Sequence, residues 1–272
     1  MLLEGKRALI FGVANVRSIA YGIAAAFRRH GARLAFNYVG EAIQKRVEPI
    51  SQELGGEFTF PCDVADDGQI ARAADLARER WGGVDILVHS VAFANREELV
   101  GRFIETSRAG FAQALDISAY SLVTLCRAFE PLLAPGASVL TMTYYGAQKV
   151  IPNYNVMGVA KAALEASVRY LAIDLGKQRV RINAISAGPV RTLAASGISD
   201  FRKIFEHIEK HAPLGRNITT DDVGGAATFL ASDLAAGITG ETIFVDSGYH
   251  IVGITRSGEE TEQTADAASA HG

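Results

Sequence analysis

The chain has 272 residues, 49% of them hydrophobic, and carries 27 basic against 30 acidic residues for a net charge of −3. That length suits one large domain or two small ones, and the charge balance offers no basic run for a nucleic-acid face. Two cysteines, Cys62 and Cys126, cannot build a disulfide framework and point to a reducing, cytoplasmic setting; the early Glu4 and a short apolar run argue against a signal peptide; no stretch of about 18 apolar residues suggests a membrane span.

Residues 6–11, KRALIF, read as a buried strand running into Gly12. The loop VANVRS then leads into an Ala-rich helix over 19–32, with Gly31 as its stop. Strand, glycine loop and helix open a dinucleotide-binding unit, although the GxGxxG fingerprint is absent. Gly12 would permit the tight turn. Ser18 would cap the helix and reach a pyrophosphate at its positive end. Gly22 would let the helix approach the strand. An ordinary strand-to-helix turn explains the same letters.

Residues 33–39, RLAFNYV, form the second strand. Its end carries Tyr38, Val39 and Gly40, with Glu41 a step later, where an acidic residue often holds the adenosine ribose. No Arg follows at once to receive a 2′-phosphate, so NADH is expected over NADPH, although Lys45 and Arg46 lie near. A helix over 41–56 survives Pro49, and 58–64 is the third strand. At its end Asp63 and Val64 either meet an adenine, through the carboxylate and the apolar side chain, or Asp63 caps the next segment; the residues leave both open. An amphipathic helix over 66–83 ends in two glycines, and 84–92 is a fourth strand apolar enough for burial on both faces. His89, near its end, reads as a satisfied structural histidine. The six histidines show no ligand spacing, so no metal site is expected.

A long helical stretch over 107–133 is interrupted by DISAYS at 116–121 and ended by Pro135 and Gly136. The fifth strand, SVLTMTYY, brings Tyr144 to its end. A helix beginning near Asn153, just past Pro152, then carries Tyr154 and Lys161. Seven residues at about 100° each is nearly two turns, so both side chains share one face. Two phenols and an ammonium thus converge where a strand ends and a helix begins, which is where open α/β sheets bind ligands; chance pairing of a Tyr and a Lys on one face is the bland alternative. The sixth strand (179–186), a Gly/Pro-marked loop (187–197), a helical cover on the pocket (198–215), a capped helix (219–237) and a seventh strand (240–248) complete the chain. The polar tail 255–272 reads as disordered. Alternating strands and helices predict one Rossmann-like domain over 1–254, a doubly wound, parallel, seven-stranded sheet with helices on both faces.

The segments GVANVRSIAYGIA, LAFNY, CDVA, VHSVAFA, DISAYS, IPNYNVMGVAKAALEASVRYLA, RINAISAGPVRTLAASGI and GETIFVDSGY together resemble the short-chain dehydrogenase/reductase superfamily. Within it they are most similar to the divergent branch of bacterial enoyl-acyl-carrier-protein reductases, over roughly residues 4–254. Ordinary members use a YxxxK pair, and Tyr145 with Lys149 matches by letter only, across a strand end and a loop. Lys161, followed by Ala-Ala-Leu, takes the ordinary lysine position. The ordinary tyrosine would then be Met157, and the ordinary serine would fall near Tyr144.

The resemblance implies a catalytic set of Tyr144, Tyr154 and Lys161. It assigns NAD contacts to Gly12, Ser18, Ile19, Asp63, Val64, Val91, Lys161 and the run Val190, Arg191, Thr192, Leu193 and Ala194, with Ala94 at the substrate. Val39, beside the adenosine ribose, replaces a residue that is often polar, and Ala92 replaces a usual glycine, narrowing the pocket. The implied activity is NADH-dependent reduction of a trans-2-enoyl thioester carried by acyl carrier protein, in fatty acid elongation, by a homotetramer. Helices 107–133 and 153–176 would offer the interface. Three alternatives stand beside it: a carbonyl–alcohol oxidoreductase, a protein that binds NAD without turnover, and a secondary-metabolite enoyl reductase.

Overall fold

The computed structural model describes residues 1–192 and 201–254. Leu193, Ala194, the first part of the expected pocket cover and the polar tail lie outside them. Seven strands form one parallel sheet in the order β3-β2-β1-β4-β5-β6-β7. They are β1 (Arg7–Phe11), β2 (Arg33–Tyr38), β3 (Phe58–Pro61), β4 (Val84–His89), β5 (Leu133–Thr143), β6 (Arg181–Ala187) and β7 (Thr242–Val245). Every neighbouring pair is parallel, so each needs a crossover, and the chain supplies helices for it.

The pleat divides the core in two. Ala8 and Ile10 of β1 face α1 (Ile19–Arg29), α2 (Gly40–Glu53) and α8 (Thr220–Ala231). Leu9 and Phe11 face α3 (Asp67–Trp81), α5 (Ser121–Phe129) and α6 (Asn155–Gly176). The remaining helices are α4 (Arg108–Leu115) and α7 (Phe201–His211). Local chemistry sets the ends. Asp66 accepts from the Gln69 amide and starts α3, and Gly82, at φ 71°, ends it. Thr219 and Asp222 form a reciprocal capping box on α8.

Several expectations are corrected. Strand β5 begins at Leu133, before Pro135 and Gly136, which sit at a break in its register with β4. Gly22 meets another helix rather than the strand: a Cβ there would come 2.5 Å from Thr220 Cβ, and one on Gly224 would come 2.7 Å from the Gly22 carbonyl. The helical run 108–132 is long and apolar enough to cross a bilayer, yet Leu122, Leu125, Cys126 and Phe129 are buried against the sheet, as in a soluble core helix. Its DISAY segment, Asp116–Tyr120, is a π-turn, which widens the helix where the sequence turns polar.

Candidate active site

The carboxyl ends of β1, β4, β5 and β6 open into one cleft of about 540 Å³. Gly12, Ser18 and Ile19 line one side, Val91 and Ala94 another, and Val190 and Thr192 a third. Tyr144, Tyr154 and Lys161 converge on it with Met142, Thr143 and Met157, and Phe201 and Ile204 of α7 border it.

The first wall is built for close backbone approach. Gly12 has φ 100°, and a Cβ there would collide with the Ser90 carbonyl. Its amide donates to Asn37 Oδ1 at 3.0 Å, while Asn37 Nδ2 donates to the Cys62 carbonyl at 2.9 Å. This buried amide ties the ends of three strands together. Sequence reasoning missed it, although a lone polar residue inside LAFNY was the available signal. Ser18 stands at the N-cap of α1 but does not cap it. Its Oγ accepts from the Ala14 and Asn15 amides at 3.1 and 3.0 Å and donates to the Asn15 carbonyl at 2.7 Å. The serine thus shapes the loop and leaves the first amides of α1 without a side-chain partner, at the end of α1 where Ser18 and Ile19 line the cleft, as a bound phosphate requires.

The second wall carries the titratable groups. Tyr154 is not inside α6 as expected but occupies its N-cap, between Asn153 and Asn155 at φ 59° and 31°. Asn tolerates this left-handed region better than other non-glycine residues, and two such positions around one side chain mark a fixed geometry. The Tyr154 ring packs closely on Gly146, where a Cβ would come 2.5 Å from Cδ1, so the turn after Tyr144 requires glycine. Burial raises the pKa of Tyr154 strongly, and Tyr144 adds to the effect; burial pushes Tyr144 up to about 12. Both phenols therefore stay neutral donors at neutral pH.

Lys161 is 5% exposed, and its Nζ donates to the Met142 carbonyl at 2.8 Å. Burial lowers its pKa to about 8, opposed by the charge of Glu165. His89 lies behind it as a structural residue. Ser121 Oγ donates to the Ile117 carbonyl and so accepts from His89 Nε2, while Nδ1 accepts from Thr141 Oγ1, both at 2.8 Å. Burial holds this imidazole neutral, with its pKa down to about 3.

Four expected cofactor residues lie outside the cleft lining. Val39 is 47% exposed, at the N-cap of α2. Asp63 Oδ1 accepts from the Ala65 amide at 3.0 Å in a local turn, the cap of α3 being Asp66 instead, and Val64 is buried in the core. These three stand at the ends of β2 and β3, further along the same sheet edge. The Arg191 guanidinium lies 4.5 Å from the Phe205 ring centroid. The YxxxK letters are also away from the cleft: Tyr145 donates to the His250 carbonyl at 3.3 Å and Lys149 is exposed.

A parallel sheet of this order, with a glycine turn after β1 and a buried lysine beneath a tyrosine at the ends of β4 to β6, defines a nucleotide-dependent oxidoreductase of the short-chain dehydrogenase type. The chain belongs to the enoyl-(acyl carrier protein) reductase family, whose family model matches residues 12–250. It is 53% identical over 253 residues to the enoyl-[acyl-carrier-protein] reductase [NADH] 1 of Rhizobium meliloti, covering 93% of each chain. Its fold is similar to the crystal structure of the Anaplasma phagocytophilum enoyl-(acyl-carrier-protein) reductase in complex with NAD, with a TM-score of 0.91, 53% identity, and 94% and 98% of the two chains covered. A Bacillus cereus enoyl-acyl carrier protein reductase, solved with NADP+ and indole naphthyridinone, is similar at a TM-score of 0.91 and 49% identity, over 93% and 99%.

Proposed function

We propose that this chain is an NADH-dependent enoyl-acyl-carrier-protein reductase of fatty acid elongation, with residues 1–254 as a single catalytic domain. One observation favours this over carbonyl reduction on the same fold. Four residues before Lys161 stands Met157, which lines the cleft and has no proton to donate, while Tyr154 occupies the N-cap.

The residues lining the cleft fit a dinucleotide. Ser18 leaves the first amides of α1 without a side-chain cap beside the cleft that Ser18 and Ile19 line, which suits a pyrophosphate, and the buried ammonium of Lys161 suits ribose hydroxyls. When bound, NADH supplies the hydride for the β-carbon of the enoyl thioester. Tyr154 donates a hydrogen bond to the thioester oxygen, where negative charge develops. Lys161 holds the ribose and adds positive potential. Tyr144 borders the thioester and orients the acyl group. Met157, Ala94, Leu99 and Ile151 form an apolar patch around Tyr154 that suits an acyl chain and keeps water from the enolate. Ile19 and Val91, then Val190 and Thr192, line the nicotinamide half; Asp63, Val64 and Val39 stand where the adenosine half would reach. Lys45, the first basic residue after Val39 in the chain, is engaged by Glu41 at 2.7 Å, which supports NADH over NADPH.

The partner is acyl carrier protein, in the cytoplasm, where two buried free thiols, Cys62 and Cys126, need no oxidising environment. Homotetramer formation is supported by exposed apolar side chains on the two expected helices, Phe111 on α4 and Tyr170 and Ile173 on α6; light scattering on purified protein tests it. The function itself is tested by NADH oxidation with a trans-2-enoyl thioester beside a β-keto thioester, repeated with NADPH. Turnover of the enoyl compound with NADH is expected. Turnover of the keto compound alone contradicts the proposal, and cofactor binding without turnover of either favours an NAD-binding protein.

A further inference from the structure

Glu165 is an ionisable side chain on α6, 7% exposed, with no part in the chemistry above. It lies one helical turn beyond Lys161, on the same face. Its Oε1 accepts from Thr143 Oγ1 at 2.8 Å and its Oε2 from Gln148 Nε2 at 3.2 Å. Thr143 directly precedes Tyr144, and Gln148 ends the single turn Tyr145–Ala147 that follows it. One carboxylate therefore joins both ends of the segment that brings Tyr144 into the cleft. One residue before Thr143, the Met142 carbonyl accepts from Lys161. Two side chains of α6 thus clasp the end of β5.

The charge calls for a reason beyond these bonds. A neutral glutamine could accept from Thr143 with less desolvation, and among the described residues no Lys or Arg lies within ion-pair distance of this carboxylate. Arg169 donates to the backbone carbonyl of Glu165 at 3.1 Å, not to its carboxylate. Lys161 stands one turn earlier on the same face, and the charge of Glu165 opposes the lowering of its pKa by burial. The other titratable groups around it are neutral: His89 from β4, held by two hydroxyls, and the phenols of Tyr144 and Tyr154. Asp246, beyond β7, acts on Tyr144 and is paired with His250 at 3.0 Å.

We propose that Glu165 is a positioning residue: its carboxylate clamps the turn that carries Tyr144 and supplies the buried negative charge beside which the Lys161 ammonium binds the cofactor ribose. The assignment rests on the enoyl reductase reading given above, and the test separates the two. The decisive variant is Glu165→Gln, which is close in shape and uncharged. The Lys161 13Cε signal, identified by its loss in Lys161→Met, is titrated in the ligand-free protein from about pH 6 to about pH 10. The midpoint is expected to fall by about one unit or more relative to the parent, because an opposite charge in a buried site has been removed. NADH affinity, read by fluorescence, is then expected to weaken about fivefold near pH 8 and to match the parent near pH 6. Thr143→Val with Gln148→Ala removes the clamp and keeps the charge, so the midpoint stays while kcat falls. An unmoved midpoint in Glu165→Gln overturns the electrostatic role, and an unchanged kcat in the double variant overturns the clamp. Should Glu165→Gln fail to fold, Glu165→Asp keeps the charge and shortens the reach: a parent-like midpoint with a lowered kcat is expected, and a parent-like kcat overturns the clamp. A parent chain without enoyl turnover defeats the functional reading, whereas the Lys161 midpoint is read with neither substrate nor cofactor present.

Discussion

The rings of Tyr144 and Tyr154 meet edge to face, with centroids 5.1 Å apart and planes at 79°. One phenol comes from the end of β5 and the other from the N-cap of α6, so the contact fixes the strand end against the helix start. Removing either hydroxyl with Phe keeps the ring contact. Tyr154→Phe is expected to lower kcat/KM for an enoyl thioester by about 10²–10³, the usual effect of losing one oxyanion donor, with NADH affinity unchanged. Steady-state kinetics beside an NADH titration measure both. Parent-like turnover in Tyr154→Phe would remove Tyr154 from the chemistry.

Lys161 sets the alkaline limit. Its pKa is lowered from 10.5 to about 8, so the ammonium is present below that pH and lost as pH rises through it. NADH affinity should be level near neutrality and decline above about pH 8, and bound cofactor, by favouring the charged form, should move the limit upward. Lys161→Met should weaken NADH binding at pH 7 by roughly 10- to 150-fold, the loss of a charged hydrogen-bonding group. Isothermal titration across pH follows both effects.

His89 should make the fold labile to acid. It is neutral in the folded chain, with its pKa lowered from 6.5 to about 3, whereas the unfolded chain takes up a proton below about 6.5. The stability it contributes is therefore complete above pH 6.5 and is lost as pH falls toward 3, by an amount on the order of a few kcal/mol. Thermal melts between neutral and mildly acidic pH should show a declining Tm. A His89→Asn variant should show a shallower decline.

Gly12→Ala tests the nucleotide loop. The φ of 100° disfavours any side chain, and the added methyl meets the Ser90 backbone, which cannot yield without moving β4. A loss of about 2 kcal/mol or more is expected, together with weakened NADH binding. Gly225→Ala, on the open side of α8 where a Cβ meets nothing within 4 Å, is the control: it should leave NADH binding unchanged and raise stability by about 0.5–1 kcal/mol, as Ala does for Gly inside a helix.

Much of this architecture was legible from the letters because parallel strands buried on both faces leave continuous apolar runs, as ALIF and VDILVH do. Cap chemistry gave Gly82 and Thr219 for the same reason, since caps are local. What depends on non-local packing was not legible. Gly22 looked like a strand contact because nothing near it in sequence announces Gly224, two hundred residues later. Asn155 opens α6 two residues after the expected start because Asn153 and Asn155 take left-handed conformations, and Asn155 Nδ2 donates to the distant carbonyls of Val100 and Gly101 at 3.3 and 3.2 Å. The convergence of Tyr144, Tyr154 and Lys161 on one cleft was visible through spacing and resemblance, while Asn37 and Glu165, which bond to the strand ends around them, are single polar letters in apolar segments.

Hydride is expected to reach the β-carbon of an enoyl thioester while Tyr154 supports the charge on its oxygen. The most direct measurement uses NADH carrying deuterium at C4 and a trans-2-enoyl thioester, with the product read by NMR. Deuterium at the β-carbon of a saturated thioester is the predicted result. A saturated product without deuterium at that carbon, or label found only on an alcohol carbon when a β-keto thioester is supplied, would contradict the account.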